Sequence, residues 1–346
     1  MAIRRWWGGL LFACRQDDKK QKTMKRYIIP IVFLLIASVA KSQTATPMAQ
    51  YASNQLIYNP AFAGAHDLFS ANLSLKRLWT GIPNSPTLIG FNMHAPFIDQ
   101  RNALGFIFQR ETYGPQFINL VNVTYAYRIP LSYTSFLSFG VQAGLLNTVT
   151  DWSMVTFVKD DNDPGYGGNE RWVTNRFDMN LGAYFQTSEF YIGLSVRHLT
   201  TPRFDEVTRM DTIADTREIV ELRYQSRIRR QFFLMGGYNF RLDQQWDIRP
   251  RMMMRYKYAM PLTVSVGVDL VYLNRFSFGA NFMTGQSAVS LLATAEIIDG
   301  LRIGYSFDMN FGVIRPFQRG SHEIFISYFM PVWNRAINPY NRKPFR

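Results

Sequence analysis

The chain has 346 residues, a single Cys, 15% aromatic and 47% apolar side chains, and a net charge of +13. Its length and apolar content exclude a stapled mini-protein and a disordered chain, and one Cys excludes a disulfide framework or a multi-cysteine zinc site. The charge suggests a polyanion partner or a membrane surface, so its location along the chain matters.

Residues 1–42 carry nine Lys and Arg against Asp17 and Asp18, which places +7 of the +13 there. A signal-peptide pattern opens at Met24. Lys25 and Arg26 form its positive end, and residues 28–40 form a 13-residue apolar run. Ala40 and Ser42 occupy the small-residue positions of a cleavage site, leaving Gln43 as the new N-terminus. The run is too short to span a bilayer. Residues 1–42 therefore read as a leader, with residues 1–23 preceding the start of the signal peptide. Cys14 leaves with it, as suits an oxidising compartment. Residues 43–346 keep a net charge of +6.

After a head at 43–67, apolar and polar residues alternate. Val264, Val266, Val268, Leu270 and Tyr272 share one face, opposite Ser265, Gly267 and Asp269. Leu301, Ile303, Tyr305, Phe307 and Met309 alternate with Arg302, Gly304, Ser306 and Asp308. A period of two with one apolar face is a half-buried strand. Fourteen such segments are predicted: 68–79, 86–97, 102–112, 116–129, 135–149, 176–187, 189–199, 229–241, 245–257, 261–273, 275–284, 286–297, 300–310 and 320–330. Most connections are short. The long ones, 150–175, 200–228 and 311–319, follow the fifth, seventh and thirteenth segments. Long loops after odd strands and tight turns after even ones fit an outer-membrane barrel with both termini in the periplasm. One unrecognised hairpin would leave that parity intact.

The expected fold is thus all-β: a transmembrane antiparallel β-barrel of about 14 strands over 68–330, followed by a basic tail at 331–346. A soluble barrel this wide would struggle to fill its interior. Turned outward, the apolar faces meet lipid and the polar faces line the lumen. Trp79, Phe97, Tyr113, Tyr127, Trp152, Tyr184, Tyr191, Trp246, Tyr256, Tyr258, Tyr272 and Phe276 lie near strand ends, where aromatic girdles belong.

Little catalytic chemistry is visible. His66, His94, His198 and His322 lack metal-site spacing, and nucleotide-binding and hydrolase motifs are absent. His94 near Asn92 and His322 beside Ser321 are the only candidates for a rim Ser-His pair, and strand or turn roles are preferred for both. The segment 160–169 is oxygen-rich but lacks a calcium loop's closing Glu, so it reads as an acidic surface loop. Arg227, Arg229, Arg230, Arg249, Arg251, Arg255 and Lys257 cluster near the eighth and ninth strands, facing the lumen or lipid headgroups. No cofactor, metal or nucleic acid is expected. The short head argues against a plugged TonB-type transporter, and the tail reads as a periplasmic contact or a disordered end.

The head Gln50–Asp67 resembles the N-terminal signature of the PorP/SprF family of type IX secretion system membrane proteins. Asn59, Pro60, Ala61, Phe62, Ala63 and Gly64 match its core. Ser74–Trp79 with Ser85-Pro86-Thr87 resembles the family's next hairpin, and His94-Ala95-Pro96 its strand end. Near the other terminus, Leu301–Asp308, with Gly304, Tyr305 and Asp308, and Gly320–Ile324, with Ser321, His322 and Glu323, resemble a further pair. Two long loops and the tail depart from the pattern. The resemblance implies a non-enzymatic outer-membrane barrel of Bacteroidota, exported by the Sec pathway. It would support secretion or surface attachment of cargo such as gliding adhesins. Its implied partners are periplasmic ring lipoproteins and cargo with type IX C-terminal domains. The alternative is an outer-membrane porin or transporter for small solutes. Pro60 fixes φ and Gly64 permits positive φ, so the head is expected to form a fixed turn able to plug the periplasmic mouth.

Overall fold

The computed structural model describes residues 48–154, 171–212, 219–286, 288–311 and 314–331. Fourteen long strands close into one antiparallel ring. The first seven are β1 (Leu68–Arg77), β2 (Thr87–Pro96), β3 (Asn102–Tyr113), β4 (Gln116–Pro130), β5 (Phe136–Asp151), β6 (Arg171–Gln186) and β7 (Phe190–Arg197). A separate two-stranded hairpin follows, β8 (Arg203–Thr212) with β9 (Ile219–Arg227). The ring resumes with β10 (Gln231–Tyr238), a two-residue continuation β11 (Phe240–Arg241), β12 (Trp246–Lys257), β13 (Thr263–Tyr272) and β14 (Phe276–Met283). It ends with β15 (Ala288–Ile298), β16 (Leu301–Asn310) and β17 (Ser321–Pro331). Each ring strand pairs with its sequence neighbour. β10 pairs with β12, and β1 pairs with β17, so no edge of the ring is left open.

The strand count and antiparallel order agree with the alternation in the sequence, and three details differ. The 200–228 loop contains the β8–β9 hairpin, whose alternation is confined to the short run Val220-Glu221-Leu222-Arg223-Tyr224-Gln225 in an otherwise charged segment. β5 and β6 also run further than expected, to Asp151 and from Arg171. The added residues, Thr150 and Asp151 on β5 and 171–175 on β6, are polar except for Trp172 and Val173. Tyr184 and Tyr191, read as girdle residues, are instead buried in the lumen and stack on each other at 5.6 Å. The leader, the segment 160–169 and residues 332–346 lie outside the described residues.

The sequence alternation becomes the inside and outside of the ring. On β4, Val121, Val123, Tyr125, Tyr127 and Ile129 are exposed, while Asn122, Thr124, Ala126 and Arg128 are buried. On β17, Ile324, Ile326 and Tyr328 face out, and Ser321, Glu323, Phe325 and Ser327 face in. A soluble protein would not display such a continuous aliphatic surface; lipid takes it up. Among the described residues no helix is long and apolar enough to cross a membrane.

One end of the ring carries tight turns and both strand termini. In one of these turns the Asp99 carboxylate accepts the N–H groups of Arg101 (3.1 Å) and Asn102 (3.2 Å). Those bonds, the Asn102 N–H first, hold Asp99 below the usual carboxylate range. The other end carries the long connections and the β8–β9 hairpin.

Candidate functional site: a head seated inside the barrel

The lumen is occupied by the chain's own head. Met48, Ala49, Tyr51, Leu56, Ile57, Tyr58, Ala61, Phe62, Ala63 and Ala65 are all buried, most of them in one cluster with the lumen-facing Ala103, Ile107, Tyr184, Tyr191, Phe233 and Met235. The segment is compact because its sequence caps itself. Gln55–Tyr58 makes one helical turn, and Asn59 then stands in front of a one-turn 3-10 helix at Pro60–Phe62. The Asn59 side chain accepts from the Ala61 N–H at 2.9 Å, and Pro60 supplies a ready-made φ at a position needing no donor. Gly64 closes the turn at φ +74°, where a Cβ would come within 2.6 Å of Ala103.

The wall is shaped to receive this turn. Gly140 on β5 and Gly182 on β6 are direct cross-strand partners. A Cβ at Gly140 would meet the Ala61 nitrogen at 2.3 Å, and one at Gly182 would meet the Asn59 amide oxygen at 2.0 Å. Into this recess the Asn59 amide donates to the carbonyls of Ala183 (3.0 Å) and Leu194 (3.3 Å). The Ser195 hydroxyl donates to the Tyr58 carbonyl at 2.6 Å. Phe62 meets His94 and Tyr184 edge-on, with centroids 5.5 Å away in each case. Burying each large side chain contributes about 1.5–3 kcal/mol.

Two polar clamps hold the ends of the head. Toward the turn end, His94 Nδ1 accepts from the Gly64 N–H at 3.1 Å, and Arg128 donates to the Gly64 carbonyl at 2.9 Å. Arg128 also pairs with Asp67 and lies 4.1 Å from the centre of the Phe136 ring. Toward the loop end, Glu323 accepts the backbone N–H groups of Ala49 (2.8 Å) and Gln50 (3.2 Å). The same carboxylate lies 3.4 Å from Lys76, whose ammonium sits 2.8 Å from Asp308. All three side chains are buried. The Met48 N–H donates to the Tyr58 hydroxyl at 2.9 Å. Burial pushes that hydroxyl up to about 12, so it stays protonated.

The residues singled out by sequence therefore fall into three places. Asn59, Pro60, Ala61, Phe62 and Gly64 form the seated turn. Asp308 and Glu323 line the lumen and meet at Lys76, while Gly304 lies on the inner face under the Phe325 ring. Tyr305 and His322 lie on the outer face, hydroxyl to Nδ1 at 2.7 Å, away from the head. Ser321 accepts the Trp79 N–H at 3.1 Å and fastens the hairpin end. Lys76, Arg128 and Asn92 were not picked out. Lys76 continues the polar face Ser70-Asn72-Ser74 of β1, and a charge at such a lumenal position was the available signal. Asn92 donates to Asn54 of the head at 3.0 Å. His94 and His322 are engaged as described. Among the described residues no group of three or more His, Cys, Asp or Glu could hold a metal ion.

The head divides the lumen. On the turn side a cavity of about 90 Å³ lies between the head and β12–β15. There Arg251 pairs with Asp269 at 2.7 Å, donates to the Ala49 carbonyl at 3.1 Å and lies over the Tyr51 ring. On the loop side a second cavity of about 240 Å³ has Met48 and Tyr58 as its floor.

Solved structures similar to this chain include two toluene transporters and an outer membrane protein, all at low identity. The toluene transporter TbuX of Ralstonia pickettii is 10% identical, with a TM-score of 0.47, covering 80% of this chain and 92% of that one. The toluene transporter TodX of Pseudomonas putida is 10% identical, with a TM-score of 0.46, covering 84% and 95%. The outer membrane protein Omp33 of Acinetobacter baumannii is 10% identical, with a TM-score of 0.42, covering 77% and 99%. The curated proteins contain no match. Residues 40–328 match the family model described as type IX secretion system membrane protein PorP/SprF. That match spans every barrel strand but the last few residues of β17, and the chain, an outer-membrane β-barrel, belongs to that family.

Proposed function

We propose that this barrel serves type IX secretion without catalysis and without passing solutes in its resting state, by offering docking surfaces to other proteins. One observation carries the reading: the lumen is filled by residues 48–65, which are fastened to β2, β4, β6, β7, β12 and β17. A barrel built as a passive pore has no use for such a filling. The partners proposed are periplasmic ring lipoproteins at the turn end and exported cargo, adhesins included, at the loop end. In this reading the head seals the barrel, the leader directs export, and the basic tail is a periplasmic contact. The signature residues Tyr305, Ser321 and His322 are assigned structural roles.

Planar-bilayer recording of the purified mature chain tests this. The intact protein is expected to be electrically silent, and deletion of residues 43–64 is expected to produce large steady openings. Large openings from the intact protein would overturn the docking role in favour of a porin. The porin reading draws on the cavities on both sides of the head.

A further inference from the structure

We infer that the outer vestibule of the lumen is a binding site for a small organic acid, a carboxylate carried on an apolar body. The inference is independent of the secretion role. Strand register builds one wall of this vestibule from cations. Arg197 on β7 and Lys257 on β12 both pair with Gln231 of β10, so the three side chains stand in one row. The next inward row is Ser195, Phe233 and Arg255. All line the same cavity except Ser195, which is turned to the head.

Neither Arg197 nor Lys257 has a carboxylate partner among the described residues. Arg197 donates one N–H to the Gln109 amide oxygen at 3.2 Å, while its Nε is buried without a partner. The opposite wall carries an aliphatic patch, Leu120 and Leu146 packed with Ile118 and Ile228, beside the polar Gln109, Tyr113 and Gln116. Its one carboxylate, Glu111, is engaged by the Tyr113 hydroxyl at 2.7 Å.

Like charges in adjacent rows repel, and half-buried cations lose hydration. A single anion entering between Arg197 and Lys257 relieves both costs. The guanidinium fork matches a carboxylate, and the ammonium adds a point charge. The facing aliphatic patch then buries the rest of the ligand. A cavity of about 240 Å³ admits a ligand of hexanoate's size. The vestibule lies at the end with the long connections, so the ligand arrives from outside the cell.

The test uses the purified full barrel in nonionic detergent and carboxyl-labelled hexanoate, with binding read from NMR line broadening. Hexanoate is expected to bind saturably. 1-Hexanol is expected to bind at least about tenfold more weakly, and hexylammonium not at all, since a charge-assisted hydrogen bond is worth about a factor of ten or more. The double variant Arg197→Met, Lys257→Met is expected to lose about tenfold or more while keeping its heat-modifiable folded band. Hexanoate binding no tighter than hexanol, or unchanged in the folded double variant, would overturn the site. Should that variant not fold, the comparison of the three probes on the native barrel decides alone.

Discussion

At the scale of single residues, Lys76 matters most. It is a fully buried ammonium between two buried carboxylates, and one of these also holds the head through two backbone N–H groups. Removing one partner of a buried ion cluster is far more damaging than its net contribution suggests, because the others stay behind desolvated. Lys76→Met is expected to cost about 3–5 kcal/mol, read as a lower urea midpoint for loss of the heat-modifiable band. Adding Asp308→Asn and Glu323→Gln to it is expected to recover much of that loss, a coupling that separate sites would not show. Asn59→Ala removes two donors to wall carbonyls and the cap on Ala61. About 1–3 kcal/mol of head seating is expected to be lost, measured as faster proteolysis of the head in an otherwise folded barrel. Asp308 and Glu323 stood out in the sequence only through a family resemblance. Their meeting with Lys76 is invisible there, because the β1–β17 and β16–β17 registers alone bring positions 76, 308 and 323 together.

At the scale of elements, the legible and the illegible divide by what each strand faces. Strands with lipid on one side carry the period of two, so the fourteen ring strands could be read to within a few residues of their ends. The β8–β9 hairpin pairs only with itself, and its one alternating run, 220–225, is shorter than a membrane strand needs. Tyr184 and Tyr191 were misplaced for a related reason. An aromatic at a strand end looks the same whether it faces a headgroup or a head segment, and only the parity of the strand separates the two. The glycines of β5 and β6 were likewise silent, since a recess is defined by what enters it. Their role can be tested directly. Gly140→Leu fills the space held by Pro60 and Ala61, and is expected to leave the ring folded but eject the turn, giving openings in bilayer recordings. Val141→Leu, one residue along and on the outward face, is expected to stay silent in the same recordings.

At the scale of the whole molecule, the barrel is a ring of nearest-neighbour pairings with one separable appendage. β7 and β10 keep an eight-residue register that makes no use of the hairpin between them. Replacing 203–227 by a short Gly-Ser link is therefore expected to change the unfolding free energy, read by urea titration, by no more than about 0.5 kcal/mol, as for surface changes generally. A lost secretion phenotype in that variant would then report a missing contact and not a broken barrel.

The pairing of β1 with β17 has a consequence for how the molecule is made. The last strand of the ring shuts it, and it carries the carboxylate that grips residues 49 and 50 of the head. Closing the seam and securing the head are thus one event, joining residues 274 apart in sequence, and such distant joins form slowly. Until that event the head hangs loose beside an unpaired edge, open to a protease or a chaperone. Afterwards it is walled in by the ring. A cut in the head is therefore a mark of a barrel that was not yet finished.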